Sequence, residues 1–293
     1  MSRAKSSNAN ANAAAVAVSP SPSPSDLESI GKLTRDLKTA SSTLTDREAR
    51  YLVDSYYAVQ DYRMQAHAQA RQASKADEPH AVLAWLGSNM ETLEAEIKKA
   101  LGVYAESRRA GRWALSVYGI GPVIAAGLLA HIDVTRAKTA GAVWRFAGLD
   151  PTIVWEKGQK RPYNAKLKVL CWKIGQSFMK FSNREECTYG KLYRERKALE
   201  VERNAAGKFA EQAKAKLEKF KIKDAATKAT YEAGKLPDGR LELRAERVAV
   251  KMFLSHFHHV LYESVLGEKP PKPWVIEHGG HVHVVEPPNW PCE

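Results

Sequence analysis

The run Gly119-Ile120-Gly121-Pro122 constrains the fold of this chain more than any other feature of its 293 residues. Glycine adopts backbone angles that are closed to other residues and lets another backbone come close, and proline suits the first position of a helix. Apolar residues precede and follow the run. The pattern therefore predicts a helix that ends, a glycine turn, and a second helix that begins at Pro122, which is a helix-hairpin-helix.

Such a hairpin aims free backbone amides outward at the start of its second helix. Because a helix N-terminus also carries partial positive charge, these amides can bind a phosphate without contact to a base. The residues expected to offer their amides are Gly119, Ile120, Gly121 and Val123. A tight connection between two core helices would have the same pattern, so the rest of the chain has to decide between the two interpretations.

The charge balance favours a polyanionic partner. Lys and Arg number 45 against 33 Asp and Glu, which gives a formal net charge of +12, and this excess points away from acidic small substrates. Basic residues flank the hairpin on both sides in the sequence. Those predicted to neutralise phosphates are Arg108, Arg112, Lys157, Lys160, Arg161 and Lys166. DNA is the expected partner, with structured RNA as the alternative.

Helical periodicity dominates the chain and predicts an all-α fold. The expected architecture is the helix-hairpin-helix module with long flanking helices, as a helical bundle or coiled-coil arm, and an extended C-terminal tail. Thr152 to Trp155 is the one short segment that could be a strand. We divide the chain into a disordered tail (1–26), a hairpin of long helices (27–107), the helix-hairpin-helix module (108–182), a charged helical arm (183–238) and a C-terminal helix with an extended tail (239–293).

Composition also sets expectations for the compartment. Three cysteines are too few for a disulfide framework or a four-ligand zinc site and are expected to be reduced thiols. The N-terminal residues do not have the order of a secretory signal, and no later segment approaches the roughly 20 apolar residues that span a bilayer. We expect a soluble cytoplasmic protein without a membrane partner, associated with the nucleoid if it binds DNA.

An ordered series of motifs resembles a known family. The hairpin run is followed by Phe146-Ala147-Gly148-Leu149-Asp150-Pro151, by a basic loop that contains glycine, and by a segment from Asn164 to Gly175. Over about residues 112 to 182 this series resembles the C-terminal domain of the bridge-RNA-guided insertion-sequence transposases. The resemblance implies a helix-hairpin-helix domain, which in that family carries a serine nucleophile and accompanies an N-terminal RNase H-like acidic domain.

The chain departs from the family at two places. Where the family has a Ser-Gly pair, this sequence reads Glu156-Lys157-Gly158, and no serine occurs between Ser116 and Ser177. Lysine cannot replace the hydroxyl that attacks a phosphodiester and leaves again. The first hundred residues have a helical pattern instead of the strands of an RNase H-like fold. We therefore predict a transposase-related DNA-binding protein without strand-cleaving activity of its own, and no cofactor.

Two alternatives stay open. One is an active transposase or recombinase, with Tyr163 or Thr152 as a divergent nucleophile, or with a metal held by the tail histidines His278, His281 and His283. The other is a helical scaffold that forms a homo-oligomer through the long helices of residues 44–107 and 186–222, in which the hairpin only turns a corner.

Overall fold

A computed structural model describes residues 30–75, 81–271 and 285–291, so the predicted disordered tail of residues 1–26 lies outside the described residues. The described residues form helices and contain no strand, which confirms the all-α fold and shows that the prediction of a strand at 152–155 was wrong. The helices are α1 (Arg35–Ala40), α2 (Asp46–Lys75), α3 (Ala81–Glu106), α4 (Arg109–Ser116), α5 (Pro122–His131), α6 (Ala140–Phe146), α7 (Ala165–Lys180), α8 (Thr188–Ala205), α9 (Ala210–Lys219), α10 (Ala225–Glu232) and α11 (Asp238–Leu266). In this part of the chain, no helix has both the length and the apolar character that a bilayer span needs.

The long helices α2 and α3 pack side by side in opposite directions. The Tyr104 hydroxyl, near the end of α3, donates to Asp46 at the start of α2 over 2.7 Å. Further along the pair, Arg63 of α2 contacts Glu94 of α3 at 2.5 Å. Because the two contacts follow opposite orders in the two helices, the pair is antiparallel, as the two periodic segments predicted.

The hairpin helices begin and end close to their predicted positions. Helix α4 ends at Ser116 and α5 begins at Pro122. Gly119 has a φ of +95°, in the region that favours glycine. Gly121 has a φ of −100°, an angle that any residue adopts, so only the first glycine of the run is required by its backbone angle.

Helices α5 and α7 are also antiparallel, and this arrangement positions the candidate site. Near the end of α7, the Ser177 hydroxyl donates to the carbonyl of Gly119 over 2.5 Å. At the other end, Asn164, which caps α7, lies 3.5 Å from the ring of His131, the last residue of α5. The 16 residues of α7 correspond to about 24 Å. The hairpin turn and the loop before α7 therefore lie at opposite ends of this helix.

Helix α11 packs against four other helices, α4, α6, α7 and α8. Trp113 of α4 stacks on Phe253 with 5.8 Å between ring centroids. The indole of Trp144 in α6 donates to a carbonyl within α11 over 3.0 Å. Val265, next to the last residue of this helix, is 56% exposed.

Residues 186–222, predicted as one long exposed helix, contain two helices, α8 and α9, separated by a turn at Gly207. Helix α8 is not solvated all round, because it packs antiparallel against α11. The Tyr189 hydroxyl lies 2.7 Å from His256, and Lys197 contacts Glu242 at 2.8 Å. Tyrosine rings and ion pairs thus form a face that the sparse aliphatic residues of this stretch did not indicate.

Residues 285–291 of the predicted extended tail have no helix and cross α4 and α11. The Trp113 indole donates to the carbonyl of Pro288 over 2.6 Å. In turn, the Trp290 indole donates to the Glu263 carboxylate over 2.8 Å. These two hydrogen bonds fix the segment to the helical body.

Candidate nucleic-acid interface

The amides of the hairpin are only partly available to a phosphate. The N–H of Ile120 donates to the carbonyl of Val117 over 3.0 Å, so this amide is already used. For Gly119, Gly121 and Val123, the described part of the chain supplies no backbone acceptor. Three of the four predicted donors thus have no hydrogen-bond acceptor among the described residues, and their contact with DNA stays a prediction.

One side of the hairpin turn is packed and the other is open. A Cβ added to Gly119 would lie 3.1 Å from the Ser177 hydroxyl and 3.5 Å from the ring of Phe181. The Tyr118 ring meets that of Phe181 edge to face at 5.3 Å. A Cβ added to Gly121 would meet nothing within 4 Å. The turn is therefore wedged against the end of α7 through Gly119 and faces open space at Gly121.

The two predicted arginines before the hairpin contact the protein itself. Arg108 donates to the carbonyls of Tyr104 and Leu44, at 2.9 and 3.0 Å, and its guanidinium lies 3.7 Å from the centre of the Tyr104 ring. Arg112 donates to the carbonyl of Glu106 over 3.1 Å. Both arginines satisfy carbonyls at the end of α3, which have no partner within the helix. Their position after a helix end was the sequence signal for this role.

The basic loop, residues 156–162, holds three of the predicted cations together. Lys157, Lys160 and Arg161 are exposed, and none of them has an ion pair with any of the described residues. The guanidinium of Arg161 lies 5.7 Å from the centre of the Trp155 ring. Lys166, also predicted to bind phosphate, instead contacts Asp54 of α2. The loop therefore has a concentration of charge that the fold leaves unneutralised.

A cleft of about 320 Å³ opens next to the segment 148–153, which leads into this loop. Its walls are that segment, α7 and α11, and two cations, Lys168 and Arg247, line it. Sequence reasoning missed Arg247 and the neighbouring Lys251, because α11 lies about a hundred residues further along the chain. Burial, and then the charge of Arg247, lower the pKa of Lys251.

The two candidate nucleophiles lie beside the same segment. The Thr152 hydroxyl donates to the Asp150 carboxylate over 2.7 Å, and its amide donates to the same oxygen over 2.9 Å. Asp133 and Thr135 make the same pair of bonds, at 2.9 and 2.6 Å, in another turn. This geometry is that of an ordinary Asx turn. The hydrogen bonds from Thr152 lower the pKa of Asp150, which makes this carboxylate a poor general base.

Tyr163 has the surroundings of a packing residue. A Cβ added to Gly148 would lie 2.8 Å from the Tyr163 ring, so the ring covers this glycine. The ammonium group of Lys168 lies 4.3 Å from the ring centre. No contact around Tyr163 identifies a base for its hydroxyl within the described residues.

The predicted metal ligands His278, His281 and His283 lie outside the described residues. Within the described ranges, no group of three or more His, Cys, Asp and Glu side chains is placed to hold a metal ion. Of the cysteines, Cys171 and Cys187 are buried and unpaired. Burial raises the pKa of Cys171 to about 12, so this thiol is unreactive.

Residues 112–184 match the family model of the transposases of the IS116/IS110/IS902 family. The matched segment runs from α4 to the turn after α7, and so includes the hairpin, the segment 148–153 and the basic loop. This part of the chain is similar to that transposase family, which supports the resemblance seen in the sequence. Helix α11, which completes the cleft, lies outside it. No curated protein and no solved structure matches the chain.

Proposed function

We propose that this chain is a transposase-related DNA-binding protein that holds the phosphate backbone with its basic loop. The observation that carries the proposal is the set of three exposed cations without ion-pair partners, Lys157, Lys160 and Arg161, inside the segment similar to the transposases. Cations of this kind release counterions from DNA and read no base. Binding should therefore depend steeply on salt and little on sequence.

The hairpin is a second contact in this proposal. It lies about 24 Å from the basic loop along α7, a length that corresponds to about seven nucleotide steps of one DNA strand. A duplex that lies along α7 can then reach both ends of the helix. The open space at Gly121 and its amide, which has no acceptor among the described residues, support this second contact.

We assign binding and not strand cleavage to the chain alone. The Thr152 hydroxyl is held by a carboxylate of lowered pKa, and the Tyr163 ring covers Gly148. Among the described residues, neither hydroxyl is next to a group basic enough to activate a nucleophile. Since no feature of the described residues favours a cleaving centre, DNA binding is the function that the geometry supports best.

Fluorescence anisotropy of labelled duplexes across a salt series tests the basic loop. The variant Lys157→Ala/Lys160→Ala/Arg161→Ala should bind more weakly for all duplex sequences, with a salt slope reduced by about 2 to 3, since each lost phosphate contact removes about 0.9. The control Lys32→Ala/Arg35→Ala/Lys38→Ala removes the same charge on and before α1 and should keep the wild-type slope. A loop variant that binds like the wild type at every salt concentration would overturn the assignment.

A pair of substitutions at Gly121 tests the hairpin. Because a side chain here meets open space and the φ is ordinary, the fold should tolerate both Gly121→Asp and Gly121→Asn. The aspartate should weaken binding by charge repulsion, and the asparagine should not. Equal binding by both variants would make the hairpin a structural corner. Oligomerisation without affinity for any nucleic acid near physiological salt would favour the scaffold alternative.

A further inference from the structure

The cleft between the segment 148–153, α7 and α11 has more polar character than the packing of three elements requires. The residues that give it this character are Asp150, Lys168, Trp172, Glu246 and Arg247. They come from three parts of the chain and face one space of about 320 Å³. A space of this size is at the lower end for small-molecule sites and has room for one nucleotide.

Glu246 is the most unusual of these groups. Only 5% of this residue is exposed, and its one hydrogen bond within the described residues comes from the Gln176 amide, over 2.8 Å. Gly175 makes room for the carboxylate, since a Cβ there would lie 3.2 Å from Oε2 of Glu246. Desolvation and the nearby Glu242 raise the pKa of Glu246. Burying a carboxylate without a cation costs free energy. A ligand that donates hydrogen bonds to Glu246 would reduce this cost.

Another buried glutamate, Glu200, shows what a structural role looks like in this fold. Glu200 is fully buried and contacts the guanidinium groups of Arg196 and Arg244 at 2.5 and 2.6 Å. Desolvation raises the pKa of Glu200, but these arginines lower it overall. Glu246 lies on the same helix as Arg244 and has no such partner in the described part of the chain. The fold therefore neutralises the carboxylate of Glu200 and leaves that of Glu246 to face the cleft.

The rim of the cleft defines the rest of the ligand. Lys168 and Arg247 supply two positive charges, which disfavour a cationic ligand and favour one that carries a phosphate. Trp172, one turn of α7 beyond Lys168, is 54% exposed and offers a ring face for stacking. The ligand should thus combine hydrogen-bond donors, an aromatic ring and an anionic group.

We infer that the cleft binds a single unpaired guanine nucleotide, with Glu246 accepting hydrogen bonds from the N–H edge of the base, Trp172 stacking on it, and Lys168 and Arg247 facing its phosphate. Guanine offers two adjacent donors to a carboxylate, an edge that pairing covers in a duplex. Adenine offers an acceptor beside its amino group and fits Glu246 less well. The inference rests on the proposed function, because it takes the nucleotide to be part of a bound nucleic acid.

Duplexes with one bulged nucleotide test the cleft directly. Fluorescence anisotropy would compare a bulged guanine, a bulged adenine and a perfect duplex for the wild type, Glu246→Gln and Glu242→Gln. We expect the wild type to prefer the bulged guanine over the bulged adenine by about 5- to 150-fold, the range for good bidentate discrimination. Glu246→Gln should lose this preference. Glu242→Gln removes the same charge one turn earlier on α11 and should keep it.

The melting temperature of each variant separates binding from folding. Glu246→Gln keeps an oxygen for the Gln176 amide and removes an uncompensated buried charge, so it should melt at or above the wild-type temperature at pH 7. Loss of the guanine preference in a protein that is at least as stable assigns Glu246 to the ligand.

The outcomes distinguish the inference from the function on which it rests. Wild-type binding to the perfect duplex without a guanine preference, or a preference that Glu246→Gln retains, would overturn the nucleotide cleft and leave the proposed function standing. No binding of any of the three duplexes would overturn the proposed function and the inference together. A guanine preference that both glutamine variants lose would also contradict the role of Glu246, since it would then follow from net charge.

Discussion

Gly119 and Gly158 have nearly the same backbone angle, with φ values of +95° and +96°, but they lie in opposite surroundings. Gly119 in the hairpin turn is wedged against Ser177 and Phe181, whereas an added Cβ at Gly158 in the basic loop would meet nothing within 4 Å. The sequence predicts phosphate contacts for both regions. The comparison teaches that packing can fix a glycine turn, whereas a basic loop of the same protein keeps its cations exposed. The hairpin turn and the basic loop lie at opposite ends of one helix, α7.

The largest expected effect separates packing from backbone strain at these two glycines. Gly119→Ala should destabilise the fold by about 2 to 4 kcal/mol, because the unfavourable φ adds to a tight 3.1 Å contact with the Ser177 hydroxyl, which its hydrogen bond to the Gly119 carbonyl holds in place. Gly158→Ala has the same φ in open space and should cost about 1 kcal/mol. Urea unfolding of both variants measures the difference, and equal costs would break the comparison.

Acid should loosen the hairpin end of the molecule. His256 contacts Tyr189, whose ring stacks at 5.0 Å on Phe178 beneath the hairpin turn. Burial lowers the pKa of His256 to about 4. Between pH 6.5 and pH 4 the unfolded chain therefore binds more protons than the folded protein, and the free energy of unfolding decreases as the pH decreases. At pH 5 the loss from this group is about 2 kcal/mol. The pKa of His131, the last residue of α5, is lowered by burial and then by Arg50, so this histidine acts in the same direction.

Urea unfolding at pH 7 and pH 5 checks this expectation. His256→Gln can still donate to the carbonyl of Val285, as Nε2 of the histidine does over 2.9 Å, but it cannot become protonated. Its stability should therefore fall less between the two pH values than that of the wild type. An equal fall would assign the acid sensitivity to other groups.

The two sets of predicted arginine and lysine contacts should respond differently to substitution. Arg108→Ala removes hydrogen bonds to two carbonyls and the contact with the Tyr104 ring, and should destabilise the fold by about 1 to 2 kcal/mol. Lys160→Ala, which removes an exposed cation without an ion pair, should stay within about 0.5 kcal/mol of the wild type. Thermal unfolding of the two variants makes this comparison, and a larger loss for Lys160→Ala would contradict it.

The smallest effect concerns Asn164, which lies two residues after the basic loop. The Asn164 side chain accepts from the amide of Leu167 over 3.0 Å and caps α7. Asn164→Ala should cost about 1 kcal/mol, whereas Asn164→Asp keeps the cap and should cost little. If the cap also fixes the loop, the alanine variant should bind DNA more weakly than its loss of stability explains, which anisotropy at a temperature well below unfolding would reveal.

Much of the helical architecture was predictable because helix signals are local. The i, i+3, i+4 spacing of apolar residues identifies α2, α3 and α7, and an asparagine directly before the apolar stripe of α7 indicates the cap at Asn164. The stretch from 186 to 222 was harder to predict, because α8 packs through tyrosines and ion pairs to α11 and not through aliphatic residues. Such a face has no periodic signal in the sequence.

The sequence by itself determined where α5 and α7 begin, that Gly119 turns the chain, and that the basic loop has an excess of positive charge. These properties depend on residues within about four positions of one another, so local backbone energetics is enough to define them. Only the tertiary structure decided which cations stay free, that hairpin and loop lie at opposite ends of α7, and that α11 brings Glu246 and Arg247 to the cleft. Those outcomes depend on long-range packing, in which burial of apolar surface aligns helices that are far apart along the chain and fixes the surroundings of each charge.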